Sequence, residues 1–133
     1  PTRRSSDLPE LEARGIGLVN ASPLSMGLLS LRGAPGWHPA PPELKAVCRK
    51  AAEFCAARGT DIAKLAVQFS TANERIPTTL VSTANPDNIA KNARWVEEPI
   101  DEELLRDVLK LLEPVRNVTW VSGRPEYNEN IKA

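Results

Sequence analysis

The segment that decides the fold runs from residue 78 to residue 92 and reads TTLVSTANPDNIAKN. Leu80 and Val81 end a short apolar run, which has the composition of a buried strand. Asn85 then has the side chain of a helix N-cap, and Pro86 stands at the first helical position, where a missing N–H costs nothing. The segment predicts a strand, a turn and a helix, and the turn itself consists of small polar residues. A helix that begins beyond the carboxyl end of a parallel strand is also a common binding site for anionic groups.

The remainder of the chain alternates helices with one further strand. A helix ends at Gly15, a strand covers residues 16–21, and a long loop rich in Gly and Pro covers residues 25–41. Beyond the helix predicted from Pro86 to Glu98, three more helical patterns complete the chain, and their predicted bounds are Pro42 to a stop at Gly59, Thr60 as N-cap through Ala72, and residues 100–117.

The apolar positions predict which helix faces form the core. In the helix that begins at Pro42, the expected core positions are Leu44, Val47, Cys48, Ala51, Ala52 and Cys55. In the helix that begins at Thr60 they are Ile62, Leu65, Ala66 and Phe69. In the last helix they are Leu104, Leu105, Val108, Leu111 and Leu112.

Residues 16–21 and 78–81 are predicted to lie parallel and adjacent, because a helical crossover joins them. Both are continuously apolar, a pattern typical of strands buried on both faces. Two such strands would leave two unpaired edges, so the sequence predicts part of a larger α/β sheet or barrel.

Composition excludes several classes of function. The chain has 133 residues, the size of one domain, and 17 basic residues balance 17 acidic ones. A zero net charge argues against nucleic acid or an anionic membrane as partner. No apolar run of about 18 residues and no signal peptide is visible, which favours a cytoplasmic protein.

Cys48 and Cys55 share one helix face about two turns apart, too far for a disulfide, and are expected to be buried thiols. His38 has no standard zinc spacing with them, so no metal is predicted. Trp37 and His38 could belong to a substrate loop or to a surface loop packed by its own Trp.

Five stretches occur here in an order that resembles the aldo-keto reductases. They read GIGLVNASPLSMGLL, WHPAPPELKAVC, TDIAKLAVQFS, TTLVSTANPDNIAKN and PVRNVTWVSG. The resemblance covers residues 7–123 and is greatest to the group that oxidises aldoses. It implies the carboxyl-terminal part of a (β/α)8 TIM barrel, with strands seven and eight, their helices and the terminal helix. Residues 1–6 would be an unmatched leader and residues 124–133 a tail.

The resemblance also implies a role for particular residues. Ser22, Leu24 and Met26 would line the diphosphate and nicotinamide side of the cofactor. Around strand eight, the residues implied to hold the adenosine end are Ser82, Thr83, Asn85, Asn88 and Asn92. The catalytic tetrad of Asp, Tyr, Lys and His comes from earlier strands in this family, so no catalytic residue is expected here. The only Tyr is Tyr127, in the tail.

NAD is the cofactor that the resemblance favours over NADP. Family members that use NADP place a cation at the positions of Ser82 and Asn88, where the 2′-phosphate is held, and both are neutral here. Lys91 could still reach that phosphate. The substrate would be a sugar or another small carbonyl or alcohol.

Two functions stay open from the sequence. One is part of a nicotinamide-dependent oxidoreductase, inactive as this chain alone. The other is a non-catalytic α/β module that binds a nucleotide or another protein.

Overall fold

The computed structural model of the chain describes residues 8–121 and residue 123. In chain order the elements are helix α1 (Leu8–Ala13), strand β1 (Val19–Ala21), helix α2 (Pro42–Ala57), helix α3 (Ile62–Thr71), strand β2 (Thr78–Leu80), helix α4 (Pro86–Glu97), helix α5 (Glu102–Leu112) and a 3₁₀ turn (Glu113–Val115). The expected leader, residues 1–6, and the expected tail, residues 124–133, lie outside the described residues.

The two strands pair in parallel and are adjacent, which confirms the central prediction of topology. Each has three residues, so both are shorter than predicted. The paired residues are Val19 with Thr78, Asn20 with Thr79, and Ala21 with Leu80.

The expectation that both strands are buried is wrong for the described part of the chain. Val19 is 59% exposed and Leu80 is 56% exposed. The sheet has only these two strands within residues 8–121, so each has one unpaired edge there. An apolar strand becomes buried only when further strands or helices cover it.

The main core lies between α2, α3 and α5. The buried members of this cluster are Ala51, Ala52, Cys55, Ile62, Leu65, Leu104 and Val108. The predicted face of α2 is confirmed, with Val47 half-buried and the other five residues buried. In α5 the prediction is wrong for Leu111, which is exposed because Leu112 is the residue that packs against the core in the last turn.

Helix α3 differs from the sequence prediction at its start and on its faces. The N-cap is Asp61 and not Thr60, because the Asp61 side chain accepts the Ala63 N–H at 2.9 Å. Phe69 was expected in the core but is 55% exposed, while Gln68 is buried. The helix packs against α2, α4 and β2, and none of these elements encloses Phe69.

A second, smaller cluster fixes the long loop between β1 and α2. Its buried members are Leu28, Ala40, Leu44, Cys48 and Val115, and Trp120 packs against them. The loop between the strand and the helix is therefore anchored on α2 and on the residues that follow α5.

Helix α4 has no buried residue. Its N-cap is Asn85, as predicted, whose side chain accepts the Asp87 N–H at 2.9 Å. The other end is fixed by Gln68, which donates from Nε2 to the carbonyl oxygens of Trp95 and Glu98 at 2.9 Å each. This contact anchors α4 through its last turn, while its first turn follows the end of β2.

Candidate functional site

A cavity of about 560 Å³ is lined by the residues that follow both strands. One wall comes from residues 22–32, after β1, and another comes from residues 81–83, after β2. Helix α4 and the start of α3 close the remaining sides. Carboxyl ends of parallel strands lie at the same edge of a sheet, so the parallel pairing brings these distant segments together.

Seven of the eight residues implied as cofactor contacts line this cavity, and they are Ser22, Leu24, Met26, Ser82, Thr83, Asn88 and Asn92. Asn85 does not line it. Its side chain oxygen is engaged in capping α4, so it determines where the helix starts.

The wall after β1 is a tight turn with an unusual backbone. Ser22, Ser25 and Met26 have φ values of +57°, +47° and +56°, in the left-handed region that non-glycine residues rarely adopt. Ser22 N–H donates to the Leu80 carbonyl at 3.1 Å, and Ser25 N–H donates to the Ser22 carbonyl at 2.8 Å. The first of these hydrogen bonds ties the turn to the end of β2, and the second closes the turn itself.

The wall after β2 is organised around Thr83. Its hydroxyl oxygen accepts the backbone N–H of Asn85 at 3.2 Å and the side-chain amide of Asn88 at 3.2 Å. Asn88 is thereby held toward the strand end from the first turn of α4. The small polar residues of this segment thus form a turn and also line the cavity.

The structure adds lining residues that the sequence analysis did not assign to the site, and Arg32, Asp61 and Trp95 are among them. Arg32 is the only Arg, Lys, Asp or Glu in residues 22–41, and this isolated cation was the one signal that could have indicated it. Asp61 and Trp95 come from α3 and α4, and no local pattern relates them to the strand ends.

The charges and donors of the cavity suit a phosphate-bearing ligand with an apolar part. Arg32 and Lys91 are cations, and Ser22, Ser82 and Asn92 add neutral donors. Asp61 is the lining acid, and one of its oxygens caps α3. Trp95 and Leu24 supply apolar surface. The volume is within the range of small-molecule sites, about 300–1,000 Å³.

The two thiols and the imidazole in the described part of the chain do not line this cavity. Cys48 and Cys55 are free and buried, as predicted. Burial raises the pKa of the Cys48 thiol to about 11 and also raises the pKa of Cys55. His38 is buried behind the turn after β1. Tyr127 lies outside the described residues.

Neither a metal-binding cluster nor a membrane-spanning helix is found among the described residues. No group of three or more His, Cys, Asp or Glu side chains in residues 8–121 could hold a metal ion. In the same part of the chain no helix has both the length and the apolar composition that crossing a membrane requires.

Comparison with known proteins identifies the family of this chain. Residues 5–113 match the sequence profile described as the Aldo/keto reductase family. The chain belongs to this family. Its resemblance to the aldo-keto reductases, derived above from five short stretches, is confirmed.

Individual relatives indicate which members of the aldo-keto reductases are similar. A stretch of 120 residues is 44% identical to L-galactose dehydrogenase from Arabidopsis thaliana and covers 87% of this chain and 38% of that protein. A stretch of 100 residues is 29% identical to pyridoxal 4-dehydrogenase from Microbacterium luteolum and covers 72% of this chain and 29% of that protein. The chain spans about a third of the length of the curated relatives it matches.

Proposed function

We propose that this chain is the carboxyl-terminal part of an NAD-dependent aldo-keto reductase that oxidises an aldose to its lactone, and that its strand-end cavity holds the cofactor. The observation that carries the proposal is the cavity itself, which gathers residues from both strand ends in a chain of this family. The 44% identity to L-galactose dehydrogenase supports an aldose as the substrate class. Residues 7–123 would form strands seven and eight of the barrel with their helices.

The cavity residues bind and orient the cofactor. The cations Arg32 and Lys91 would neutralise the diphosphate, and hydroxyl and amide donors would complete its hydrogen bonds. Leu24 and Met26 would exclude water from the nicotinamide side. When bound, the nicotinamide ring supplies the chemistry, because it accepts the hydride from the alcohol carbon of the substrate.

A proton acceptor aligned with the cofactor is also needed for this oxidation. In the aldo-keto reductases that group is the Tyr of a tetrad on earlier strands, so the proposal assigns no catalytic residue to this chain. The isolated chain would bind cofactor without turnover. In the cell it would act in the cytoplasm as part of a complete barrel.

The choice of NAD is the finer part of the proposal, because the family uses nicotinamide cofactors and usually NADP. It rests on the neutral side chains of Ser82 and Asn88, which line the cavity beside α4. A 2′-phosphate there would lack a charge-assisted partner at these two positions. Lys91 is the cation on the same wall that could serve NADP.

The test is a pair of dissociation constants, for NAD and for NADP, measured by tryptophan fluorescence since Trp95 lines the cavity. Asn88→Arg should tighten NADP binding about tenfold and leave NAD nearly unchanged, because one charge-assisted hydrogen bond contributes roughly 1.5–3 kcal/mol and 1.4 kcal/mol is tenfold in affinity. The matched control is Ala93→Arg, which adds the same charge to α4 at an exposed position outside the cavity.

An equal effect of both substitutions would contradict the location of the adenosine ribose beside Asn88. A parent chain that binds neither dinucleotide would contradict the proposed function as a whole. In that case the alternative, a module that binds another protein, would become the better account, and the exposed apolar strand edges favour it as the second candidate.

A further inference from the structure

His38 lies behind the strand-end cavity and does not line it. The residue is buried, with 3% of its surface exposed. Trp37 stacks on its ring with the centroids 6.1 Å apart, and Trp120 meets it edge-on at 5.0 Å. The two indole rings hold the imidazole in one orientation.

Both ring nitrogens of His38 have backbone partners, and these partners determine the tautomer. The Ala40 N–H donates to Nδ1 at 3.0 Å, so Nδ1 carries no proton. Nε2 lies 2.9 Å from the carbonyl oxygen of Ser25, which only accepts, so Nε2 carries the proton and donates. His38 is therefore a neutral imidazole that joins two points of the same loop.

The carbonyl oxygen that accepts from His38 Nε2 belongs to Ser25, in the strained turn that forms one wall of the cavity. Ser25 and Met26 both have positive φ values, a conformation that is strained for non-glycine residues and persists only where the surroundings enforce it. The neighbouring residues Leu24, Met26 and Gly27 line the cavity. The Ser25 carbonyl accepts from His38 and also from the Leu28 N–H at 3.2 Å.

We propose that His38 is a positioning residue for the cofactor cavity, which it serves by donating from Nε2 to Ser25 and so holding the left-handed turn in its binding conformation. The connection to affinity rests on the proposed function, whereas the control of the turn does not. The backbone of His38 is held as well, since the Lys45 ammonium donates to its carbonyl oxygen at 2.6 Å.

Two substitutions distinguish the role of the Nε2 donor from the roles of the other atoms of the His38 ring. The side-chain nitrogen of Gln reaches about as far as Nε2, so His38→Gln keeps a donor for Ser25. The side-chain oxygen of Asn stands about where Nδ1 stands, so His38→Asn keeps the acceptor for Ala40 and loses the donor. Both variants lose the aromatic ring, so the loss of ring packing is common to the two, although Asn is one methylene shorter than Gln.

The first readout is amide hydrogen exchange in residues 24–29 without cofactor. His38→Asn should raise exchange there about three- to tenfold, the loss expected for one net hydrogen bond, while His38→Gln stays within about twofold of the parent. Exchange in α3 should be unchanged in both variants and reports that the fold is intact. Equal exchange in the two variants would overturn the proposal.

The second readout is the dissociation constant for NAD, which should rise about three- to tenfold in His38→Asn and little in His38→Gln. Equal NAD affinities in two variants whose exchange differs would overturn the link between the turn and the cavity. If the parent itself does not bind NAD, the proposed function fails, and hydrogen exchange still decides whether His38 controls the turn.

A third measurement needs no substitution. The chain contains one histidine, so the nitrogen resonances of ¹⁵N-labelled imidazole are assigned without ambiguity. The parent should show a proton on Nε2 and none on Nδ1 at neutral pH. A proton on Nδ1, or rapid exchange between the two tautomers, would overturn the proposal even if neither variant folds.

Discussion

The helical core and the two strands of this chain both contain large apolar side chains, and these side chains differ strongly in burial. In the core, Leu65 and Leu104 are almost completely enclosed by α2, α3 and α5. At the strands, Val19 and Leu80 are more than half exposed, and α4 has no buried residue. The difference shows that hydrophobic patterning indicates where a residue can be buried, while burial itself requires a partner surface.

The two regions also differ in their roles, since the core stabilises the fold and the strand-end region lines the cavity. The core is complete enough within the described residues to hold three helices together. In the strand-end region, hydrogen bonds from Gln68 fix the last turn of α4. Its polar turns line the cavity and leave donors for a ligand. Binding sites are commonly built on loops that a rigid scaffold positions.

The largest expected effect compares one substitution in the two regions. Leu65→Ala should lower the free energy of unfolding by about 2–5 kcal/mol, because it leaves a cavity in the core. Leu80→Ala removes the same atoms from an exposed strand position and should cost less than about 1 kcal/mol. Urea unfolding of both variants and the parent measures the difference.

Similar losses of unfolding free energy in Leu65→Ala and Leu80→Ala would contradict the difference in burial between the core and the strands. That outcome would mean that Leu80 is enclosed in solution, for example by a second copy of the chain. Measuring unfolding at two protein concentrations separates this case, since association makes the apparent stability depend on concentration.

A smaller effect concerns the thiols of the core. Burial raises the pKa of Cys48 to about 11, above its ordinary value of 9.0. The folded chain thus keeps the proton through a pH range in which the unfolded chain loses it. The contribution to stability is complete below pH 9.0 and declines as pH rises toward about 11. Urea unfolding at a series of alkaline pH values should follow this decline.

Thiol labelling near neutral pH sharpens the same comparison. Cys48 and Cys55 should react with an aromatic disulfide reagent only slowly until urea unfolds the chain, because both are buried. Val19→Cys places a thiol in the strand region, and this added thiol should react at once. Immediate reaction of the two native thiols would contradict an enclosed core.

The sequence predicted the parallel pair of strands because each apolar run is short and a helical crossover joins them. It also predicted the N-cap of α4, where Asn85 precedes a proline. It failed at α3, because Thr60 and Asp61 are both good caps and only the structure shows which oxygen meets the Ala63 N–H. The sequence also failed to predict the exposure of Phe69, because periodicity does not reveal which helix face lacks a neighbour.

For the cavity, the resemblance indicated the residues that immediately follow each strand. It could not indicate Asp61 or Trp95, because their place in the wall depends on how α3 and α4 pack. The sequence could not predict the contacts of His38 either, because its two backbone partners are determined by the path of the loop and not by a motif.

The most direct test of the central claim, that the strand ends form the cofactor site, is a map of amide chemical shifts as NAD is added to the ¹⁵N-labelled chain. The account predicts saturable changes in residues 22–32 and 81–92, with α5 unaffected. Changes concentrated on α5, or no saturable change at any residue, would contradict it.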